Sequence, residues 1–138
     1  MNVIQFDHIG IRVTDAKRAV DFYRDLGFEV ILEVDFEPVI IMKNASGVEI
    51  NLIVNGIGPI EGKNILMDVP AKHPGFTHVA LRVDSIVNTI DELQRLNIPI
   101  TQGPVRFVGN EVSVFIRDPD RNVIELRSDE VNLSAIPR

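Results

Sequence analysis

Two histidines lie at equivalent places in two copies of one short motif. His8 is third in FDHIGIRV, residues 6–13, and His78 is third in FTHVALRV, residues 76–83, seventy positions later. Alternate side chains of an extended strand point to opposite faces, so each histidine falls on the face opposite the apolar residues of its motif. Imidazole is the commonest protein ligand for transition metals. The repeat therefore predicts a shared site on a pseudo-twofold axis, whereas either histidine alone would be read as a hydrogen-bonded structural residue.

Acidic residues near the end of each half extend this candidate ligand set. In the last predicted strand Glu125 alternates with apolar residues, and it shares the histidine face if the apolar residues pack on helices. Aligning the two halves by their turns and apolar positions makes Asn51 the equivalent of Glu125. Glu49 lies on the face of Asn51, about 7 Å away along an extended strand. We therefore expect Glu49 to reach the same cavity without occupying the same place.

Both halves place these residues on the same series of elements. Each opening strand precedes a helix with apolar residues at three- and four-residue spacing. The predicted caps and end residues are Thr14 or Asp15 and Gly27 for the first helix, and Asp84 or Ser85 and Asn97 for the second. Further strands are predicted at 28–34, 39–43, 48–54, 100–108, 112–117 and 122–127. The order strand, helix and three strands thus occurs twice.

We predict a single domain over residues 1–138. Its parts are a first module at about 4–54, a connecting loop at 55–75, a second module at about 76–127 and a peripheral tail at 128–138. The chain has 138 residues and a hydrophobic fraction of 45%, which is enough for one sizeable core.

Composition excludes several kinds of partner and ligand. The net charge of −6 and the absence of a basic patch argue against nucleic acid and anionic membrane surfaces. The chain contains no cysteine, so any metal must be held by nitrogen and oxygen donors. We find no apolar run long enough for a membrane span and no secretory leader pattern, and therefore expect a cytoplasmic protein.

The combination of FDHIGIRV and FTHVALRV with FYRDLGFEV and RDPDRNVIEL resembles the vicinal oxygen chelate superfamily. This group includes glyoxalase I, methylmalonyl-CoA epimerase, extradiol dioxygenases, fosfomycin resistance proteins and bleomycin resistance proteins. The resemblance covers Phe6 to Arg127. It implies an α+β fold in which two βαβββ modules form a curved mixed sheet around a central cavity. It also implies a homodimer, and leaves open whether the site forms within one chain or across two.

Metal-containing members of the superfamily draw ligands from the first and last strands of each module. The positions of this chain that match those ligands are His8, position 51, His78 and Glu125. Asn51 departs from the glutamate or glutamine of glyoxalase-like members and is at most a weak fourth ligand. The resemblance implies a divalent metal ion, without distinguishing Fe, Mn, Zn, Ni or Co. Loss of a carboxylate at position 51 disfavours glutathione isomerisation unless Glu49 or Glu125 serves alone as the catalytic base.

Three functions remain open at this level. The first is a metal-dependent enzyme acting on a small substrate that chelates the ion through vicinal oxygens, in a dioxygenase-like or a lyase or isomerase reaction. The second is a metal-free protein that sequesters a small molecule, as bleomycin resistance members do. The third is thiol transfer to an epoxide, for which the sequence shows no specific signature. Convergence of two histidines with Glu125 favours the first, because a metal-free binder has no need of it.

Overall fold

Each half of the chain folds as a strand, a helix and three further strands. The computed structural model describes residues 1–58, 62–132 and 134, and the chain comprises two units, Met1–Gly62 and Lys63–Arg138. The first unit contains β1 (Ile9–Arg12), α1 (Ala16–Asp25), β2 (Glu29–Glu33), β3 (Val39–Lys43) and β4 (Glu49–Ile53). The second unit contains β5 (His78–Arg82), α2 (Ile86–Arg95), β6 (Gln102–Arg106), β7 (Glu111–Arg117) and β8 (Val123–Asp129).

The strands of each unit form an open, mixed four-stranded sheet. The strand orders are β1-β4-β3-β2 and β5-β8-β7-β6, with the first and last strands of each module parallel and the remaining neighbours antiparallel. Asn51 lies opposite Gly10 on β1, and Glu125 lies opposite Ala80 on β5. This register confirms the predicted equivalence of Asn51 and Glu125. The α+β class with two βαβββ modules is likewise confirmed.

Both helices begin at side-chain caps that the sequence left as alternatives. The Asp15 carboxylate accepts a hydrogen bond from the backbone N–H of Arg18 at 2.8 Å. The Ser85 hydroxyl accepts one from the backbone N–H of Asn88 at 3.2 Å. Each cap satisfies a donor that has no partner within the helix.

Both helices end before a residue with left-handed backbone. Gly27 has φ 98° and Asn97 has φ 56°, the two residue types that tolerate this conformation best. The predicted helix ends are therefore confirmed.

The buried side of each sheet faces its own helix. In β4 the side chains of Ile50 and Leu52 are fully buried, whereas Glu49 and Asn51 are only partly so. The helices contribute Ala19, Val20 and Tyr23 in the first unit and Ile86, Ile90 and Leu93 in the second. This alternation leaves Glu49 and Asn51 in the first sheet, and Glu125 in the second, on the face away from the helix.

Several predicted strand limits were wrong. The first strand begins at Ile9, so His8 lies immediately before it. The strand predicted at 100–108 is shorter and irregular, because its pairing with β7 shifts between Gln102 and Val105. β8 continues through Ser128, which was assigned to the tail. Ser128 is buried, and its hydroxyl accepts a 2.8 Å hydrogen bond from the N–H of Ile86, which explains why it belongs to the fold.

The structure describes only part of the predicted connecting loop and tail. Residues 59–61 of the predicted loop and residues 133 and 135–138 of the predicted tail lie outside the described residues. The assignment of both modules to one domain, with the curved sheet and the central cavity, stays a prediction. No helix in the described part of the chain has the length and hydropathy needed to cross a membrane.

Candidate metal-ligating residues

The second sheet brings His78 and Glu125 together. Nε2 of His78 lies 3.2 Å from Oε2 of Glu125. His78 begins β5 opposite Val123, and Glu125 lies two residues further along β8 on the same face. The exposed fraction of the Glu125 side chain is 6%, and that of His78 is 38%. A buried carboxylate thus meets an imidazole that remains accessible from outside the sheet.

The other oxygen of Glu125 is held by two donors. The Ser113 hydroxyl donates to Oε1 at 2.6 Å, and Nη2 of Arg127 lies 3.0 Å from the same atom. Nε of Arg127 donates to the Ser113 hydroxyl oxygen at 3.0 Å. Ser113 and Arg127 are direct partners across β7 and β8, so the sheet register closes this triangle. The carboxylate is therefore fixed through Oε1, and Oε2 faces His78.

A second carboxylate holds Arg127 from its far side. Nη1 of Arg127 donates to Oε2 of Glu111 at 3.0 Å, and Nη2 of Arg82 donates to Oε1 of Glu111 at 2.7 Å. The hydrogen bond from Arg82 lowers the pKa of Glu111, and the charge of Arg127 acts in the same direction. The Arg127 guanidinium also lies 5.8 Å from the ring centre of Phe107. These contacts leave Arg127 little freedom to turn away from Glu125.

The ring of His78 has a partner on its other nitrogen and an aromatic neighbour. Nδ1 lies 2.9 Å from the Thr77 hydroxyl, which can donate or accept and so supports either neutral tautomer. The Phe115 ring packs edge-on at 6.0 Å between centroids, and Phe107 lies 6.3 Å beyond it. Phe115 is the direct cross-strand partner of Glu125. The pair of polar groups thus has an apolar wall on one side.

In the first unit the acidic neighbours of His8 are Asp7 and Glu49. Nδ1 of His8 lies 2.6 Å from Asp7 Oδ1 and 3.6 Å from Glu49 Oε2. Lys43 Nζ lies 3.4 Å from the other oxygen of Glu49. A carboxylate only accepts, so the contact with Asp7 favours a hydrogen on Nδ1 of His8. One ligand atom from each of Asp7, His8 and Glu49 lies within 4.8 Å of the others, a spacing compatible with a cation.

Asn51 keeps a polar atom without a partner. Its Oδ1 is buried and makes no hydrogen bond to any described residue of the chain. Buried amide oxygens normally have a donor, and a cation or a water molecule can take that role. The place of Glu125 in the second sheet is thus occupied in the first by a neutral, unsatisfied acceptor.

The residues of the second unit fit a divalent ion. Two adjacent ligand atoms bound to one ion at 2.0 to 2.2 Å lie about 3 Å apart. The 3.2 Å between His78 Nε2 and Glu125 Oε2 matches this separation. Nitrogen and oxygen donors of this kind suit Zn²⁺, Mn²⁺, Fe²⁺, Ni²⁺ and Co²⁺. His78 and Glu125 are the residues of this unit that would hold the ion, and their role as ligands, like that of His8, Asn51 and Glu49, stays a prediction.

Sequence reasoning missed the residues that support these groups. Asp7 and Thr77 each precede a histidine, and Arg127 lies two residues beyond Glu125 on one face. These spacings were available signals. Ser113 had none, because its place opposite Arg127 depends on the pairing of β7 with β8.

The chain belongs to the Glyoxalase/Bleomycin resistance protein/Dioxygenase superfamily, whose family model matches residues 5–126. This is the vicinal oxygen chelate group that the motifs resemble. The match includes both histidine motifs and the strand that carries Glu125.

Individual relatives agree with this membership. A glyoxalase domain-containing protein, RDO1, from Mycosarcoma maydis is 31% identical over 132 residues, covering 93% of this chain and 70% of its own. A probable lactoylglutathione lyase from Synechocystis is 30% identical over 130 residues, covering 86% and 91% respectively. The crystal structure of a glyoxalase family protein from Enterococcus faecalis, at 24% identity, superposes with a TM-score of 0.73 over 90% of this chain and 97% of its own. That likeness concerns the fold alone.

Proposed function

We propose that this chain is a metal-dependent enzyme that acts on a small substrate with two neighbouring oxygens. Its ligands are His78 and Glu125, with His8 carried over by the family resemblance. The observation that supports the proposal best is the 3.2 Å contact between His78 Nε2 and Glu125 Oε2. An imidazole and a carboxylate oxygen at this separation are a donor pair that suits a divalent cation.

A bound divalent ion would supply Lewis-acid stabilisation of negative charge on the substrate oxygens. The chain's own residues would bind the ion and orient the side chains that hold it. Thr77 holds the ring of His78, and its hydroxyl accepts from Nδ1 when Nε2 serves as a ligand. Phe115 packs edge-on against the ring of His78, and Phe107 packs against Phe115. Glu125 contributes a negative charge at Oε2 and thereby belongs to the catalytic set.

Glu49 is the proposed proton acceptor in the first unit. Its side chain is 18% exposed, and it lies between the Lys43 ammonium and the His8 ring. A carboxylate in such a position can take a proton from a bound substrate and return it. Asn51 supplies an amide oxygen instead of a charge, so Glu49 is the acidic group available for a lyase or isomerase reaction. The dioxygenase-like reaction is the other branch of the proposal.

A metal-free binding protein is the alternative, and one observation favours it. Glu125 already has protein partners on both oxygens, namely His78, Ser113 and Arg127. A carboxylate with protein partners on both oxygens is stable without an ion, and the aromatic residues beside it could contact a sequestered molecule. In this alternative the network has a structural role.

Metal analysis distinguishes the two. Protein purified without chelator is compared with His8→Ala, His78→Ala and Glu125→Ala, and His73→Ala serves as a matched control because His73 is exposed in the connecting segment. The enzyme proposal expects a stoichiometric first-row metal in the wild type and the control, and its loss in the three variants. Absence of metal in the wild type, together with no uptake of added Co²⁺, supports the binder and overturns the proposal.

The reaction branch is tested with two probes on the metal-loaded protein, a hemithioacetal of glutathione and a catechol. Turnover of the first that is lost in Glu49→Gln supports the lyase or isomerase branch. Oxygen uptake with the second supports the dioxygenase branch. We further propose a homodimer, which sedimentation velocity tests. Cytoplasmic location and the absence of nucleic-acid and membrane partners stay predictions.

A further inference from the structure

Arg127 lies on the polar face of the second sheet, and two of its contacts are with Glu125 and with the Ser113 that bonds to Glu125. Nε and Nη2 point the same way, one to Ser113 and the other to Glu125 Oε1. Nη1 is held by Glu111. A guanidinium offers its donors in a fixed planar fork, so these two hydrogen bonds and one ion pair restrict its orientation.

We propose that Arg127, acting with Ser113, is a positioning residue that makes Glu125 a ligand through one oxygen only. A carboxylate can bind an ion through one oxygen or both. Here Oε1 accepts a hydrogen bond from the Ser113 hydroxyl at 2.6 Å and forms an ion pair with Nη2 of Arg127 at 3.0 Å, so both partners hold this oxygen. Oε2 alone remains directed at His78 Nε2. The inference rests on the proposed function, because it assigns the geometry of a ligand in that site.

One-oxygen ligation has a consequence for the substrate. Each coordination position that a carboxylate leaves free is available to a substrate oxygen, and a substrate with vicinal oxygens needs two adjacent positions. A Glu125 released from Arg127 could turn and bind through both oxygens, and would thereby occupy a position that the substrate requires. Arg127 acts on the ion through Glu125 and does not touch it.

The chain offers a matched control for this proposal. Arg82 lies on the same face and bonds to the same Glu111, but it has no bond to Glu125 or Ser113. Arg82→Met therefore removes a guanidinium from the network without freeing Oε1. Arg127→Met removes the fork, and Arg127→Lys restores the charge without the planar arrangement of donors. Ser113→Ala removes the second donor.

To test this, each apoprotein is titrated with Co²⁺ alone. The visible absorption spectrum and the binding affinity are measured. We expect Arg127→Met to weaken Co²⁺ binding by about 10 to 100-fold, which is typical for loss of a group that orients a ligand. Its absorption should also lose intensity, because an additional oxygen raises the coordination number. Ser113→Ala should shift in the same direction, Arg127→Lys should not restore the wild-type spectrum, and Arg82→Met should match the wild type in both readouts.

The possible failures are distinguishable. If wild-type protein binds no Co²⁺, the proposed function fails and the positioning role fails with it. If wild type binds Co²⁺ and Arg127→Met binds it with unchanged affinity and spectrum, the positioning role alone is overturned. If Arg127→Met does not fold, Ser113→Ala decides, and an unchanged spectrum in that variant overturns the proposal.

Discussion

Asn51 occupies in the first sheet the register position that Glu125 occupies in the second. Asn51 lies opposite Gly10, and Glu125 lies opposite Ala80. Glu125 has donors for its oxygens, whereas Oδ1 of Asn51 has none among the described residues. The duplicated fold therefore carries an acidic group on one side of the repeat and a neutral acceptor on the other.

Restoring a carboxylate at position 51 should strengthen metal binding. We expect Asn51→Glu to raise the affinity for Co²⁺ by about tenfold or more, because affinity increases with the number of charged ligands. Without metal the variant should be less stable, by about 1 to 3 kcal/mol, since the new charge lacks a partner. Calorimetric titration and thermal unfolding with and without Co²⁺ measure both effects. Asn51→Gln is the length-matched neutral control, and an equal gain in affinity there would contradict the charge argument.

Protonation of Asp68 should weaken the second unit at low pH. Both terminal nitrogens of Arg117 bond to the Asp68 carboxylate, at 2.8 and 2.9 Å, and the backbone N–H of Asn64 adds a third bond. These bonds, with that of Arg117 first, lower the pKa of Asp68 from 3.8 to about 2. A carboxyl whose pKa is lower in the folded protein stabilises it above the unfolded value. This stabilisation is lost as the pH falls through 3.8 towards about 2.

The variant Asp68→Asn tests this window. At neutral pH its free energy of unfolding in urea should be lower than that of the wild type. The difference should be about 1 kcal/mol after allowance for solvent screening. The difference should shrink as the pH falls below 3.8. Asp91→Asn, at an exposed position of α2, should follow the wild-type pH dependence throughout. A difference for Asp68→Asn that is as large near pH 2 as at neutrality would refute the linkage.

The Ser128 hydroxyl should contribute to stability through one buried hydrogen bond. It accepts from the N–H of Ile86 at the start of α2, and removing it leaves that donor without a partner. We expect Ser128→Ala to cost about 1 to 3 kcal/mol in the free energy of unfolding. Denaturant unfolding measures it, and Ser46→Ala in the exposed turn before β4 serves as the control. Equal stability of the two variants would show that another group satisfies Ile86.

The left-handed helix ends should tolerate alanine poorly. Gly27→Ala and Asn97→Ala should each cost about 1 kcal/mol, because an L side chain with positive φ is strained. A methyl group on Gly27 would meet nothing within 4 Å, so the cost is one of backbone conformation and not of packing. Gly58→Ala is the control, since its surroundings are equally open and its φ is ordinary. A loss at Gly58 equal to that at Gly27 would exclude the conformational explanation.

The sequence predicted what depends on short-range periodicity and on the internal repeat. Gly27 and Asn97 were identified as helix ends because few residue types adopt that backbone. The equivalence of the positions of Asn51 and Glu125 followed from comparing the two halves. The choice of Asp15 and Ser85 as caps over their neighbours needed coordinates, since both candidates at each helix can accept the same bond.

Other features depend on contacts between distant strands and could not be predicted. The burial of Ser128 depends on where α2 crosses β8, which no local pattern records. The contacts that Ser113 and Arg127 make with Glu125 depend on the register of β7 against β8. The strands that carry His78 and Glu125 were predicted, but the groups that contact Glu125 come from neighbours distant in sequence.

The location of a bound metal is the most direct test of the central claim. Crystals grown or soaked with Co²⁺ would be measured at the cobalt absorption edge, and the anomalous difference map would place the ion. The account predicts one peak about 2.0 to 2.2 Å from both His78 Nε2 and Glu125 Oε2, with Oε1 still bonded to Arg127. A peak bound by Asp7, His8 and Glu49 without His78, or no peak in protein that is saturated with Co²⁺ in solution, would contradict it.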